Sequence, residues 1–199
     1  MSAPPYVFGM FGCRNSVSAD INFTCNLYHI ACFTTVGFAF SADRRQERGL
    51  HLVVAASIGM IGYILLITLK EQAPAARFVA ATLACCGVFP LIPLSSVWNS
   101  NNVGGHTKRG VAIAFVTGVG NAGGIISGQM YRVTDAPYYV TGHAISLGMM
   151  GLTILTALTL RTYLYFENRR RDRLSPEQHR IACEGEELCD KHPDFRYIL

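Results

Sequence analysis

From Gly110 to Tyr131 the chain runs for about 22 residues without an Asp, Glu, Lys, Arg or His, and a stretch of that composition has two destinations. Gly118, Gly120 and Gly123 stand at the spacing of a GxGxxG loop, in which backbone N–H groups cradle a dinucleotide phosphate. That reading requires a short strand before the glycines and an acidic residue about 20 positions after them. Asp135 comes too early. The apolar character instead continues through Ile125, Ile126 and Met130, without the alternation of a helix lying on a soluble sheet. About 22 uncharged residues match one bilayer crossing. Gly120, Gly124 and Gly128 then share one helix face, a doubled GxxxG on which a second helix backbone can approach closely.

The rest of the chain fits the membrane alternative. Half of the 199 residues are hydrophobic and 15% are charged, a balance on the apolar side of globular proteins. Between Leu50 and Tyr131 the charges are confined to Lys70, Glu71, Arg77, Lys108 and Arg109, in two clusters that separate long apolar runs. The net charge of +4 gathers at the ends of those runs, as in membrane flanks rather than on a nucleic-acid face. The seven cysteines are odd in number, and Cys25, Cys32, Cys85 and Cys86 lie in apolar sequence, so no disulfide framework is implied. Residues 1–12 carry no basic leader, and insertion is expected to use the hydrophobic segments themselves.

Taken in order, residues 1–33 form an N-terminal segment in which a short apolar piece after Pro4 and Pro5 gives way to a polar interval. Phe23 to Ala42 is a weakly apolar fifth span, closed by Asp43, Arg44, Arg45, Glu47 and Arg48. His51 to Leu69 is a full crossing. Phe78 to Trp98 is the next, with Gly87, Pro90 and Pro93 inside it, which predicts a kink. Gly110 to Tyr131 follows the polar loop, and Thr141 to Phe166 is the last span, ending in Tyr163, Tyr165 and Phe166. Residues 34–166 thus form a transmembrane helical region and 167–199 a tail. Ser175, Pro176 and Gln178 predict a short capped helix in that tail, and the remainder reads as solvated.

Alternate loops differ in charge. One side collects Arg44, Arg45, Arg48, Lys108, Arg109, Arg169, Arg170, Arg171 and Arg173, nine residues, against Lys70, Arg77 and Arg132, three, on the other. Short loops rich in Lys and Arg stay cytoplasmic, so the tail is expected in the cytoplasm.

Three pieces in this order resemble one family. SADRRQERG resembles the basic turn between helices eight and nine of major facilitator transporters. WNSNNVGGHTKRG looks like the helix ten to eleven connection of the fungal anion:cation symporters, the branch containing allantoate and nicotinate permeases. ENRRRDR with HPDFRYIL resembles the end of those proteins, and APPYV the start of their helix eight. The resemblance implies an all-α membrane protein, the partial second half of that fold, about helices 8 to 12, from a chain that lacks a first half. Gly37 stands six positions before Asp43, where the family pattern has about four. Residues 12–33 interrupt what should be one helix; removing them joins 3–11 to 34–42, and the interval is expected to be an insertion or a gene-model error.

Since substrates of this superfamily lie near the midplane between two halves, the resemblance makes Pro90, with Gly87 and Pro93, and Asn121 candidates for the cavity face. A hydrogen bond to a neighbouring helix is the bland alternative for Asn121, because a buried amide is costly without a partner. Trp98, Asn99 and Asn102 are candidates for the mouth of the inward path, against an interface tryptophan and a solvated turn. Lys108 and Arg109 attract an anion or merely satisfy the positive-inside bias. Asp43, Arg44 and Arg48 resemble the family's conformational latch, paired in one of two states. None of the four strong spans contains Asp or Glu, so a coupling proton would be carried elsewhere or by His143.

The resulting expectation is a non-enzymatic transporter of a small organic anion, coupled to a cation such as a proton and working by alternating access. It would sit in the plasma membrane, with the lipid bilayer as partner and no nucleic acid, and this chain alone would transport nothing. No cofactor is implied, and the spacing of His179, Cys183, Cys189 and His192 matches no tight metal-ligand pattern. A small multi-pass membrane protein with a structural or partner-binding role, and a soluble dinucleotide-binding enzyme, remain the alternatives.

Overall fold

The computed structural model describes residues 17–69, 74–132, 135, 138–183 and 189–199. The APPYV start, the Lys70–Glu71 turn and Pro137 lie outside the described residues. All regular structure among the described residues is helical. Helix α1 spans Val17–Arg45, α2 Arg48–Thr68, α3 Pro74–Val88, α4 Leu91–Asn102, α5 His106–Met130, α6 Val140–Arg171 and α7 Pro176–Ala182, followed by a single 3-10 turn at Cys189–Lys191.

Four helical segments are long and apolar enough to cross a membrane: α2, α3 with α4 as one interrupted span, α5 and α6. They match the four strong spans read from the sequence. The break within the second is where Pro90 and Pro93 remove two N–H groups, so that α3 ends at Val88 and α4 begins at Leu91. Pro90 itself is fully buried in the bend. α1 is longer than the weak fifth span: it runs unbroken through most of the interval 12–33 and on to Arg45. Its last turn carries Arg44 and Arg45, favourable at the negative end of a helix dipole. Gln46, in the left-handed region at φ 53°, turns the chain, and its side-chain amide donates to the Asp43 carbonyl at 2.7 Å.

α2 is the centre of the bundle. Its buried positions, Leu52, Ala55, Ala56, Gly59, Gly62 and Leu66, recur every three or four residues and form one stripe. α3 returns antiparallel along that stripe at backbone distance: a Cβ on Gly62 would lie 2.6 Å from Ala84 Cα, and one on Gly87 2.6 Å from the Ala55 carbonyl oxygen. α6 and α4 also pack on α2, and α1 lies against α3 and α2. Two apolar clusters result. Leu27, Leu66, Ala80, Ala81 and Ala84 close one end, and Ala42, Leu52, Leu94, Trp98, Ala157 and Leu164 close the other.

α5 is different. It begins at His106, four residues before the uncharged stretch, meets the bundle only at its two ends, and has no buried residue. None of the described residues lies within reach of a Cβ at Gly118, Gly120, Gly123, Gly124 or Gly128. The close-packing face read from the sequence therefore meets no helix among the described residues. The same continuous helix also removes the dinucleotide alternative, because its glycines form no loop in which a phosphate could be cradled.

The tail departs from expectation as well. The capped helix is present, with Ser175 N donating to Gln178 Oε1 at 3.2 Å and Gln178 N to Ser175 Oγ at 3.3 Å. Residues 189–199 are not a free solvated tail; they fold back onto the end of the bundle that carries Arg48, Lys108 and Arg171.

Candidate functional site at the basic end of the bundle

The turn between α1 and α2 holds a nested set of charges. Arg48 enters the bundle with its side chain only 10% exposed and donates from Nη2 to Asp43 Oδ1 at 2.5 Å, while Asp43 remains open to solvent. One residue earlier, Glu47 accepts from Arg161 Nη2 of α6 at 3.2 and 3.3 Å. His51 bridges the turn, with Nδ1 on the Glu47 carbonyl and Nε2 3.0 Å from Ser41 Oγ. Of the three residues read as a latch, Asp43 and Arg48 are paired, whereas Arg44 is exposed and outside the pair.

The Glu47–Arg161 bond was not legible as a pair, but half of it was visible. Arg161 is the one formal charge between Thr141 and Phe166, and a guanidinium inside an apolar run needs a partner. Arg161 ties α6 to the start of α2, so the turn is braced from within by Arg48 and from the side by Arg161. In this structure both carboxylates of the turn are paired, Asp43 with Arg48 and Glu47 with Arg161.

Beside it lies the mouth read at the end of α4. Trp98 is buried in the cluster and donates from Nε1 to the Ile198 carbonyl at 2.8 Å. Asn102 makes two bonds to the same residue, Nδ2 to the Ile198 carbonyl at 3.0 Å and Ile198 N to Oδ1 at 2.8 Å. Asn99 stands half-buried between them in sequence. Trp98 and Asn102 are therefore neither a bare interface residue nor a solvated turn; both hold the returning tail.

Two other sequence candidates are not part of this constellation. Pro90 lies at the α3–α4 break, and Asn121 is exposed on α5 with no hydrogen bond from the described residues. Asn121 thus lacks, among the described residues, the neighbouring-helix partner that the bland reading supplied.

Lys108 donates from Nζ to Asp190 Oδ1 at 2.6 Å and so fastens the start of α5 to the tail, whereas Arg109 bonds the Val103 carbonyl at 3.3 Å within its own turn. Farther along the tail, His179 Nε2 donates to Asp194 Oδ1 at 2.8 Å. That hydrogen bond, with the charges of His179, His192 and Arg196 around it, holds the Asp194 carboxyl below the usual carboxylate range.

At the opposite end His143 is buried near the start of α6, its ring 5.6 Å from that of Tyr131 and 6.0 Å from that of Tyr63. Its Nδ1 has no hydrogen-bond partner among the described residues. Arg77 lies over the Tyr138 ring at 5.3 Å on the same end. The histidine is at a helix end rather than at mid-span.

No family model matches the chain, and no solved structure matches it. It is similar to an uncharacterized transporter of Schizosaccharomyces pombe, with 31% identity over 176 residues, covering 88% of this chain and 34% of the relative. An MFS-type transporter, efuF, of Hormonema carpetanum is 31% identical over 153 residues, 76% of this chain and 31% of that one. The major facilitator-type transporter hxnP of Emericella nidulans is 27% identical over 81% of this chain and 33% of its own length. The chain spans about a third of the length of these curated relatives. An all-helical bundle with four membrane-spanning segments and transporter relatives over most of its length is an integral, multi-pass membrane protein, and the similarity supports membership of the major facilitator superfamily.

Proposed function

We propose that this chain is part of a cation-coupled transporter for a small organic anion, of the fungal anion:cation symporter branch. It contributes helices from about the eighth to the twelfth of an alternating-access assembly in the plasma membrane, with the basic end and the tail in the cytoplasm. The observation that carries the reading is the braced turn at the basic end. Asp43 takes the Arg48 guanidinium while Glu47 takes Arg161, so the turn can close in one state of a rocking motion and open in the other. The excess of Arg and Lys at that end supports an anion as the species released there. No Asp or Glu lies within the apolar spans, and His143, buried with a free ring nitrogen, is the candidate proton carrier in these residues.

α5 supports the same reading from another side. A membrane helix with no buried residue and a glycine face open along its length is built to be covered by helices outside these residues. In the proposed transporter those helices lie outside this chain, and Asn121 is the candidate on this face for the cavity. A small membrane protein that docks on a partner through α5 is the second reading favoured by the same face.

Uptake of labelled nicotinate and allantoate separates them. Cells expressing this chain alone are expected to take up no more than control cells. Cells that also express the preceding part of a relative, about its first seven helices, together with this chain, are expected to show uptake that Asp43→Asn lowers at least tenfold. Uptake by the chain alone, or uptake indifferent to Asp43→Asn, would overturn the proposal.

A further inference from the structure

Residues Phe195–Leu199 lie extended across the basic end, and their backbone is read by side chains from the helices as a neighbouring strand would read it. Asn168 of α6 donates from Nδ2 to the Tyr197 carbonyl at 2.8 Å and accepts from Tyr197 N at 2.9 Å. Asn102 of α4 makes the same two-bond pair with Ile198, at 3.0 and 2.8 Å. Consecutive residues of an extended segment direct their backbone groups to opposite sides. The strand is therefore held between α6 and α4, one amide on each side.

The next residue reaches a third helix. The Leu199 main-chain oxygen accepts from Arg48 N at 2.5 Å and Gly49 N at 3.2 Å. Helix N-termini leave backbone donors without partners, and at α2 the residue before the helix, Glu47, makes no side-chain cap. Leu199 supplies the missing cap.

Side chains add selectivity to this backbone reading. Tyr197 Oη donates to the Asp190 carbonyl at 3.1 Å and accepts from Arg171 Nη2 at 3.0 Å, with the Arg171 guanidinium 4.5 Å from the Tyr197 ring centre. Arg171 is buried and also donates to the Asp190, His192 and Phe195 carbonyls. The Tyr197 and Leu199 side chains pack on the apolar cluster of Leu52, Leu94 and Trp98.

We propose that the basic end of the bundle is a binding site for an extended peptide, that its occupant is this chain's own Phe195–Leu199, and that the docked segment is a detachable clasp joining α2, α4 and α6. Asn102 and Asn168 are its backbone receptors and Arg171 selects the tyrosine. A clasp of this kind makes the basic ends of three helices move as one body while it is docked, and frees Trp98 and Asn102 when it leaves. The inference stands apart from the transport reading, since it concerns these residues alone.

Amide hydrogen exchange of the full chain in detergent micelles tests it. In the unmodified chain Tyr197, Ile198, Arg48 and Gly49 are expected to exchange at least tenfold more slowly than a free peptide, a factor matching about one hydrogen bond each. With Asn102→Ala and Asn168→Ala together, all four are expected to speed up at least tenfold while Ala81 and Ala84 of α3 stay slow. Should the double variant also release α3, Tyr197→Ala, which alters no membrane helix, gives the decision: Arg48 and Gly49 must again exchange faster. Tyr197 and Ile198 exchanging as a free peptide in the unmodified chain, or Arg48 and Gly49 unmoved by Tyr197→Ala, would overturn the clasp.

Discussion

Gly59 and Gly62 on α2 and Gly120, Gly124 and Gly128 on α5 look alike in sequence, small residues at helical spacing within apolar runs, yet they end in opposite surroundings. On α2 the glycines meet the backbone of α3, with Gly59 against Gly87 and Gly62 against Ala84. On α5 they meet nothing among the described residues. The difference lies in the partner rather than in the motif. α3 begins six positions after α2 ends and returns along it, whereas α5 is flanked by α4 and α6 in sequence and buries no residue against an antiparallel neighbour among the described residues. A small-residue face states how close a helix can come; it does not state which helix comes.

The largest effect is expected where that comparison is most direct. Gly62→Leu places a side chain into Ala84 backbone, and overpacking of this kind costs about 1–3 kcal/mol or more. Gly124→Leu enters open space and removes a helix glycine, so it is expected to leave stability unchanged or raised by up to about 1 kcal/mol. Unfolding of the two variants in detergent, followed by circular dichroism, distinguishes them. Equal losses in both would mean that the α5 face is already covered in the isolated chain, for example by a second copy.

Charges divide the molecule in the same way. Arg161, its side chain 26% exposed, joins α6 to the start of α2 through Glu47, which is 36% exposed. Arg161→Met is expected to cost about 1–1.5 kcal/mol, a solvent-screened ion pair together with the packing of the arginine stem. Lys108 pairs with Asp190 at the surface of the lone helix's first turn, and Lys108→Met is expected to cost about 0.2–1 kcal/mol. The same unfolding measurement orders them; a Lys108 variant weaker than the Arg161 variant would reverse the assignment of α5 as the loosely attached element.

Much of this division could be read from the residues alone. Four crossings, the break forced by Pro90 and Pro93, the basic end and the Ser175–Gln178 cap all follow from composition and local chemistry. The tail did not. HPDFRYIL is held through its backbone by Asn102 and Asn168, and a backbone hydrogen bond leaves no mark in the composition of the segment it fixes. Asn102 was readable only as a mouth residue or part of a solvated turn, because its partner lies about a hundred positions away. Arg161 did leave a signal, a lone charge in an apolar run, although its partner Glu47 could only be found in three dimensions. The isolation of α5 was hidden for a different reason: its sequence is that of a packed helix, and the packing is not contained in these residues.

A smaller effect lies in the tail that bridges the two regions. Asp194 is depressed chiefly by the hydrogen bond from His179. A carboxyl lowered in the folded state adds stability above its unfolded value, about 4, and that contribution disappears as pH falls through the folded value. Exchange at Asp194 and Phe195 is therefore expected to stay constant from pH 7 down to about 4 after correction for intrinsic rates, then to accelerate. Asp194→Asn should be faster throughout and lose the step, while the α2–α3 amides remain indifferent. A step that survives the substitution would assign it to another group.

The smallest expected effect is at Asn121. Exposed on α5 and without a partner among the described residues, its amide contributes nothing that the isolated chain can lose. Asn121→Leu is expected to shift unfolding by less than about 0.5 kcal/mol, the range of surface substitutions. The same substitution is expected to lower labelled-anion uptake when the preceding part of a relative, about its first seven helices, is present, because an amide on a covered helix face must either bond its neighbour or be left unsatisfied. A clear loss of stability in the isolated chain would show that α5 already packs through this face. An unchanged uptake would show that the face looks onto lipid, and Asn121 would then leave the cavity altogether.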